Sequence, residues 1–259
     1  LGMRLGCLPY LNVRPLAHTL EQGGLPEGWE LVYAPPSVLA GMLARDEIAA
    51  APVSAFACYV NPSFDICPGI CISADGPVKS VLLLSKVAVE RIRRVALDTS
   101  SLSGANMVRI VLKEAYGLTP EFVHRDPSPV IGMLDDADAA LVIGDPAMLC
   151  CKEGLHVYDL ALEWRKLAGL PAVFAVWAGR GITPEVIQIL QDAKRQGMSM
   201  LPEICRRESE RLGLSYEICF DYLSNTIRYD MGEREQQAFE LFREKAIAHG
   251  LVSREGVLR

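Results

Sequence analysis

The feature that most limits the fold of this chain is an alternation of short apolar strands and helical stretches. It runs to about residue 75, passes through a continuous apolar run, and then begins again. Met3–Cys7 reads as a strand that ends in a Pro-Tyr-Leu-Asn turn, and Glu30–Ala34 as a second strand. Pro35-Pro36-Ser37 opens a helical run over Val38–Arg45, with proline in the first turn and Ser37 as a favourable cap. Ile48–Pro52 predicts a third strand leading into a short helix near Ser54–Tyr59, and Ile70–Ala74 a fourth. Such alternation specifies a parallel or mixed sheet with helices on its faces.

Val81–Leu84 carries no polar residue and suits a strand buried on both faces. Strands are then predicted at Val95–Asp98, Glu121–His124, Ala139–Ile143 and Ala172–Ala178. Between them lie a helix over Asn106–Tyr116, with Met107, Ile110, Val111 and Ala115 at helical spacing, and a short one over Val130–Leu134. Beyond residue 184 only helices are expected: Pro184–Gly197, Leu201–Leu212 and Glu233–Gly250. Two βα runs and a helical tail predict a two-lobed α/β protein. Lobe 1 comprises residues 1–80 and 178–259, and lobe 2 residues 81–177, with crossovers near Gly76–Ser85 and Gly169–Trp177. A ligand cleft belongs between the lobes, at the carboxyl ends of strands.

Half of the 259 residues are hydrophobic and 22% are charged, which suits an ordered chain with a sizeable core. The net charge of −6 gives no general attraction to nucleic acid or to an anionic membrane, so neither is an expected partner. No apolar run approaches the ~18 residues of a membrane span, and the first residues lack the charged and apolar regions of a secretion signal. A cytoplasmic location is therefore expected. The eight cysteines form no CxxC pair and stand at no metal spacing with His18, His124, His156 or His249. They read as small buried hydrophobes in a reducing compartment, and neither a metal nor a cofactor is expected.

Five segments at strand ends could carry chemistry. In PYLNVRPL (residues 9–16), Asn12 offers donor and acceptor groups and Arg14 could pair with a carboxylate; a simple turn with Asn12 as helix cap accounts for the same residues. In SADGPVKSV (73–81), Gly76-Pro77 marks a bend and Ser80 stands where the buried strand begins. DTSSLSGAN (98–106) places hydroxyls and an amide before a helix, whose first N–H groups suit a carboxylate or phosphate; a capped helix is the plainer alternative. In IGDP (143–146), Asp145 could cap a helix or orient a hydroxyl, and the aromatics of GLPAVFAVW (169–177) suit core or hinge packing. No GxSxG, HExxH or strand-linked GxGxxG is present, and no histidine falls in the five segments.

Taken together and in order, PYLNVRPL, SADGPVKSV, VALDTSSLSGANM, ALVIGDPAM and YDLALEWRKLAGLPAVFAVWAGR resemble the chorismate dehydratases of the futalosine route to menaquinone. The third segment reads Ser-Leu-Ser-Gly where relatives tend to have Ser-Arg-Thr-Ser. The resemblance implies a two-lobed periplasmic-binding-protein-like (type II) fold with mixed sheets and a helical C-terminal tail. It implies an intracellular lyase that removes water from chorismate to give 3-[(1-carboxyvinyl)oxy]benzoate. By the same resemblance Asn12 and Ser80 take the catalytic positions. The candidate substrate-binding residues are Tyr10, Arg14, Ser37, Gly76, Val78, Ser101, Ser103, Gly104, Asn106 and Asp145. The expected partner is the small dicarboxylate, in a monomer or homodimer. Three other classes are weighed: the related 1,4-dihydroxy-6-naphthoate synthase, a solute-binding protein for a small carboxylate, and the effector domain of a transcription regulator. The last would carry a helix-turn-helix, and this chain begins directly with a strand.

Overall fold

The computed structural model describes residues 3–126 and 129–256. The chain ends of the predicted lobe 1, residues 1–2 and 257–259, lie outside the described residues.

The strands fall into two groups. In the first, β1 (Arg4–Cys7) and β2 (Glu30–Tyr33) pair in parallel, and β10 (Ala172–Gly179) lies antiparallel between β3 (Ala51–Ser54) and β4 (Asp65–Ala74). A parallel bridge from Leu5 to Ala50 joins the two parts. In the second group, β5 (Val81–Ser85) lies between β8 (Ala139–Ile143) and β9 (His156–Asp159), antiparallel to both; β6 (Arg94–Asp98) runs parallel to β8 and β7 (Glu121–Arg125). The apolar run at 81–84 is buried on both faces, as expected. Leu83 faces the main core, and Leu82 and Leu84 face a smaller one built with Val130, Met133 and Leu134.

The last strand of the segment 81–177 joins the first group of strands. β10 hydrogen-bonds along its length to β3 and β4, so the chain returns before Ala172, at the turn over Gly169–Pro171. Gly169 caps the helix α7 (Leu160–Ala168) at φ 69°, and Trp164 Nε1 donates to the Pro171 carbonyl at 3.0 Å. The pairing of β10 with β4 shifts register twice, with an extra β10 residue at Phe174 and extra β4 residues between Ile66 and Cys71. Such bulges re-aim side chains at a strand edge, and Phe174 is turned toward the space between the two groups of strands.

Helix α1 (Arg14–Glu21) follows β1, α2 (Pro36–Ala44) follows β2, and α3 (Ala55–Val60) follows β3. Helix α4 (Leu102–Tyr116) starts four residues before the predicted Asn106. Serine and glycine are weak helix formers, but burial of Ser103 and Gly104 in the first turn overrides that preference. The short helices α5 (Val130–Leu134) and α6 (Gly144–Leu149) follow, the second absorbing what reads as a turn. Strand β3 also sits three residues later than predicted, because Ala49 and Ala50 are used in single hydrogen bonds to Arg4 and Gly6.

The tail packs across both groups. Helix α8 (Pro184–Ser199) lies on α1 so closely that a Cβ on Gly197 would fall 1.7 Å from the Pro15 carbonyl oxygen. Helix α9 (Leu201–Leu212) follows. Helix α10 (Tyr216–Asp221) and a π-turn (Tyr222–Thr226) come next, and neither is foreseen from the sequence: six residues are too few to show periodicity. The chain then pairs briefly with β4, Arg228 N donating to the Ser73 carbonyl at 2.8 Å. The last helix, α11 (Glu233–Ala248), inserts Phe242 among Phe56, Tyr59 and Trp164, with ring centroids 5.4–5.9 Å apart. No described helix is long and apolar enough to cross a membrane.

Two outcomes follow from this packing. Gly197→Ala forces α8 off α1 and should cost about 3 kcal/mol, read as a shift in the urea midpoint. Burial pushes the Cys7, Cys58 and Cys71 thiols up to about 12 from an ordinary 9.0. An unfolded chain releases those protons near pH 9 and the folded chain does not. Stability is therefore full below pH 9 and falls as pH rises toward 12, which urea unfolding on either side of the ordinary thiol value would detect.

Candidate active site

Between the two groups of strands lies a cavity of about 90 Å³, room for a handful of waters or a small organic acid. Its polar walls are Tyr10, Asn12, Ser54, Ser80 and the turn Ser100–Gly104; its apolar walls include Ile72, Val78, Phe174 and Ile227. Each side is a strand end. The Tyr10–Asn12 turn ends β1, Ser54 ends β3, Ser80 precedes β5, and Ser100–Gly104 joins β6 to α4. Among the described residues, no Asp, Glu, Lys, Arg or His side chain lines the cavity.

Asn12 sits in a 3₁₀ turn (Leu11–Val13) and does not cap α1; Val13 occupies the cap position. The Asn12 Oδ1 is buried without a hydrogen-bond partner, and its backbone carbonyl accepts from Tyr229 Oη at 2.8 Å. A buried amide oxygen left in this state carries a desolvation cost unless a further donor reaches it. Ser80 is 2% exposed. Its Oγ accepts from Tyr222 Oη at 2.7 Å, and its carbonyl accepts from Gly144 N at 2.7 Å. The approach to Ser80 is set by Asp159, whose two oxygens accept from Val78 N at 3.0 Å and Lys79 N at 2.7 Å.

The serine turn is ordered from within. Asp98 Oδ1 accepts from Ser100 N at 2.8 Å and from its Oγ at 2.5 Å. Ser101 precedes the helix without a side-chain capping bond, and a Cβ on Gly104 would fall 2.5 Å from its Oγ. The first N–H groups of α4 have no carbonyl one turn earlier in the helix and carry partial positive charge beside the cavity. Ser103 reaches across to the first group of strands, 2.6 Å from Ser54 Oγ and accepting from Phe56 N at 3.2 Å. Burial, then Asp98 and Asp145, pushes the Tyr10 hydroxyl above its usual range, so it stays protonated.

The structure thus gathers Tyr10, Asn12, Val78, Ser80, Ser101, Ser103 and Gly104 around one cavity. Five other candidate binding residues are not among its walls, and each has a physical reason. Arg14 is buried in an ion pair with Glu21 at 2.7 Å and also donates to the Leu8 carbonyl, so its charge is already neutralised. Asn106 turns back to the Leu102 carbonyl at 2.9 Å. Ser37 lies exposed in the first turn of α2, whose cap position is Pro35, and Pro36 takes the wall. Gly76 supplies the bend, at φ 136°. Asp145 joins the two groups of strands instead: Oδ1 accepts from Leu11 N at 3.0 Å and Oδ2 from Arg211 at 3.4 Å.

Ser54, Tyr222 and Asp159 escape sequence reasoning. Asp159 had a usable signal, since it stands directly before the helical pattern LALEWRKLA and caps α7, accepting from Ala161 N and Leu162 N. Tyr222 had none, because only the tertiary path of the tail brings it to Ser80.

Residues 3–248 match the family model described as menaquinone biosynthesis. The chain belongs to that family. A curated chorismate dehydratase from Thermus thermophilus is 32% identical over 261 residues, covering 93% of each chain. Among solved structures, a protein from Archaeoglobus fulgidus superposes with a TM-score of 0.76 at 19% identity, covering 97% of this chain and 98% of that one. The periplasmic aliphatic sulphonate binding protein of Escherichia coli superposes with a TM-score of 0.61 at 17% identity, covering 100% and 92%. The fold of this family member is therefore periplasmic-binding-protein-like, with mixed sheets and a helical tail.

Replacing Asp145 by Ala strands the Leu11 N–H and leaves Arg211 with Glu208 as its remaining carboxylate partner. A loss of about 2 kcal/mol is expected, measured by denaturant unfolding.

Proposed function

We propose that this chain is a chorismate dehydratase, a carbon–oxygen hydro-lyase that converts chorismate to 3-[(1-carboxyvinyl)oxy]benzoate in the cytoplasm. The observation that carries the reading is the convergence of Asn12, with its unpartnered Oδ1, and Ser80 on one neutral, hydroxyl-lined cavity. The likeness to the Thermus enzyme over nearly the whole chain supports it.

The chemistry suits such a cavity. Loss of the ring hydroxyl and the adjacent ring proton aromatises the ring, so the driving force belongs to the substrate. The protein holds the dianion and stabilises developing charge. In this reading the first N–H groups of α4, with Ser101, receive one carboxylate. Asn12 and Ser80 stabilise charge on the ring-carboxylate side or assist the departing hydroxyl. Among the described residues no carboxylate or imidazole lines the cavity, which supports the substrate's own enolpyruvyl carboxylate as the proton acceptor. The two groups of strands act as lobes, with crossovers at Gly76–Ser80 and Gly169–Pro171.

A second reading, a binding protein for a small anion, draws on the likeness to the sulphonate binding protein. Incubation with chorismate separates the two. The aromatic enol ether should accumulate, and Asn12→Ala and Ser80→Ala should each lower kcat by about a hundredfold or more. A stable chorismate complex without product favours the binder, and near-normal turnover by both variants removes these residues from the mechanism.

A further inference from the structure

The C-terminal tail meets the crossover to β5 at two consecutive residues on each side. Asp221, the last residue of α10, pairs with Lys79 Nζ at 2.7 Å on the outside. Tyr222, the next residue, turns inward and donates to Ser80 Oγ at 2.7 Å. The exchange from outside to inside happens where α10 widens into the π-turn Tyr222–Thr226, and such widenings are frequent at functional sites. Tyr222 is 1% exposed. A buried phenol needs a hydrogen-bond partner, but a backbone carbonyl usually serves. Here the partner is the hydroxyl of a residue that lines the cavity.

From this geometry we infer that Tyr222 is a positioning residue, which holds the Ser80 hydroxyl with its own hydrogen directed into the cavity. A serine hydroxyl has one hydrogen to give and two lone pairs to receive. Tyr222 fills one lone pair, and no acceptor among the described residues takes the Ser80 hydrogen. Ser80 is thereby left as a donor toward bound substrate. Donation from Tyr222 also polarises the Ser80 O–H bond and strengthens what it gives. Burial drives the Tyr222 phenol far above its ordinary value, so the phenol remains a donor at every pH where the fold persists. The same tail steadies the opposite wall: Tyr229 donates to the Asn12 carbonyl at 2.8 Å, and Ile227 lines the cavity.

The role rests on the assignment of Ser80 above, and its test is built to fail separately. Tyr222→Phe, Ser80→Ala and the double variant are compared for kcat, KM and Tm with chorismate as the probe. Tyr222→Phe should lower kcat by between about tenfold and a hundredfold and leave KM within about twofold. The double variant should be no slower than Ser80→Ala, because Tyr222 acts only through Ser80. Full kcat in Tyr222→Phe overturns the inference, and so does a double variant slowed by the product of the two single effects. A kcat loss matched by an equal rise in KM assigns Tyr222 to the shape of the cavity and also overturns it. If the native chain leaves chorismate unchanged, the functional reading falls alone. The cycle is then read in Tm, where additive shifts of the two substitutions overturn the coupling and non-additive shifts sustain it.

Discussion

The geometry of the cavity depends on one carboxylate, Asp159. It stands at the end of β9 and gathers four backbone N–H groups. Two belong to its own helix, Ala161 and Leu162, and two to the crossover, Val78 and Lys79. An ionised carboxylate is an acceptor only, and such charge-assisted bonds are about twice as strong as neutral ones. Lys79 needs that support. Its φ of 66° lies in the left-handed region, where a residue with a Cβ is strained by ~1–2 kcal/mol. Asp159 holds its N–H, Asp221 holds its ammonium, and Ser80 emerges beside Tyr222 and Gly144.

A pattern runs through the rest of the site. Charged groups surround the cavity but are spent outside it: Asp98 on the serine turn, Asp145 on Leu11 and Arg211, Arg14 on Glu21. What remains inside is a set of neutral dipoles held by those charges. In a medium of low dielectric, fixed dipoles can stabilise a developing charge without bringing a counter-charge of their own. Of the charged groups, Asp145 also joins the two groups of strands through the Leu11 N–H, so one carboxylate serves both the surroundings of the cavity and the junction between sheets.

Most of the fold was legible because its signals are local. The buried run Val81–Leu84, the strand at Ala139–Ile143 and the helix at Leu201–Leu212 lie where apolar patterning puts them. The family was legible from motif order. The site was legible only where a residue both ends a strand and stays unspent: Asn12, Ser80 and the serine turn meet that condition. Arg14 and Asn106 end the same strands or turns but are consumed by Glu21 and the Leu102 carbonyl. No spacing rule distinguishes a free guanidinium from a paired one. Tyr222 and the return of Arg228 to β4 were out of reach, since both depend on contacts across about 150 residues.

The position of β10 has a consequence for how the chain is made. Residues 81–159 contain all five strands of the second sheet in one continuous stretch, so that sheet can be completed as it leaves the ribosome. The first sheet cannot. β3 and β4 flank a place that stays empty until residues 172–179 are synthesised, and Ala74 waits for Ala172. Non-local pairing of this kind is slow and leaves strand edges open to wrong partners. The half of the molecule that begins first is the half that finishes last.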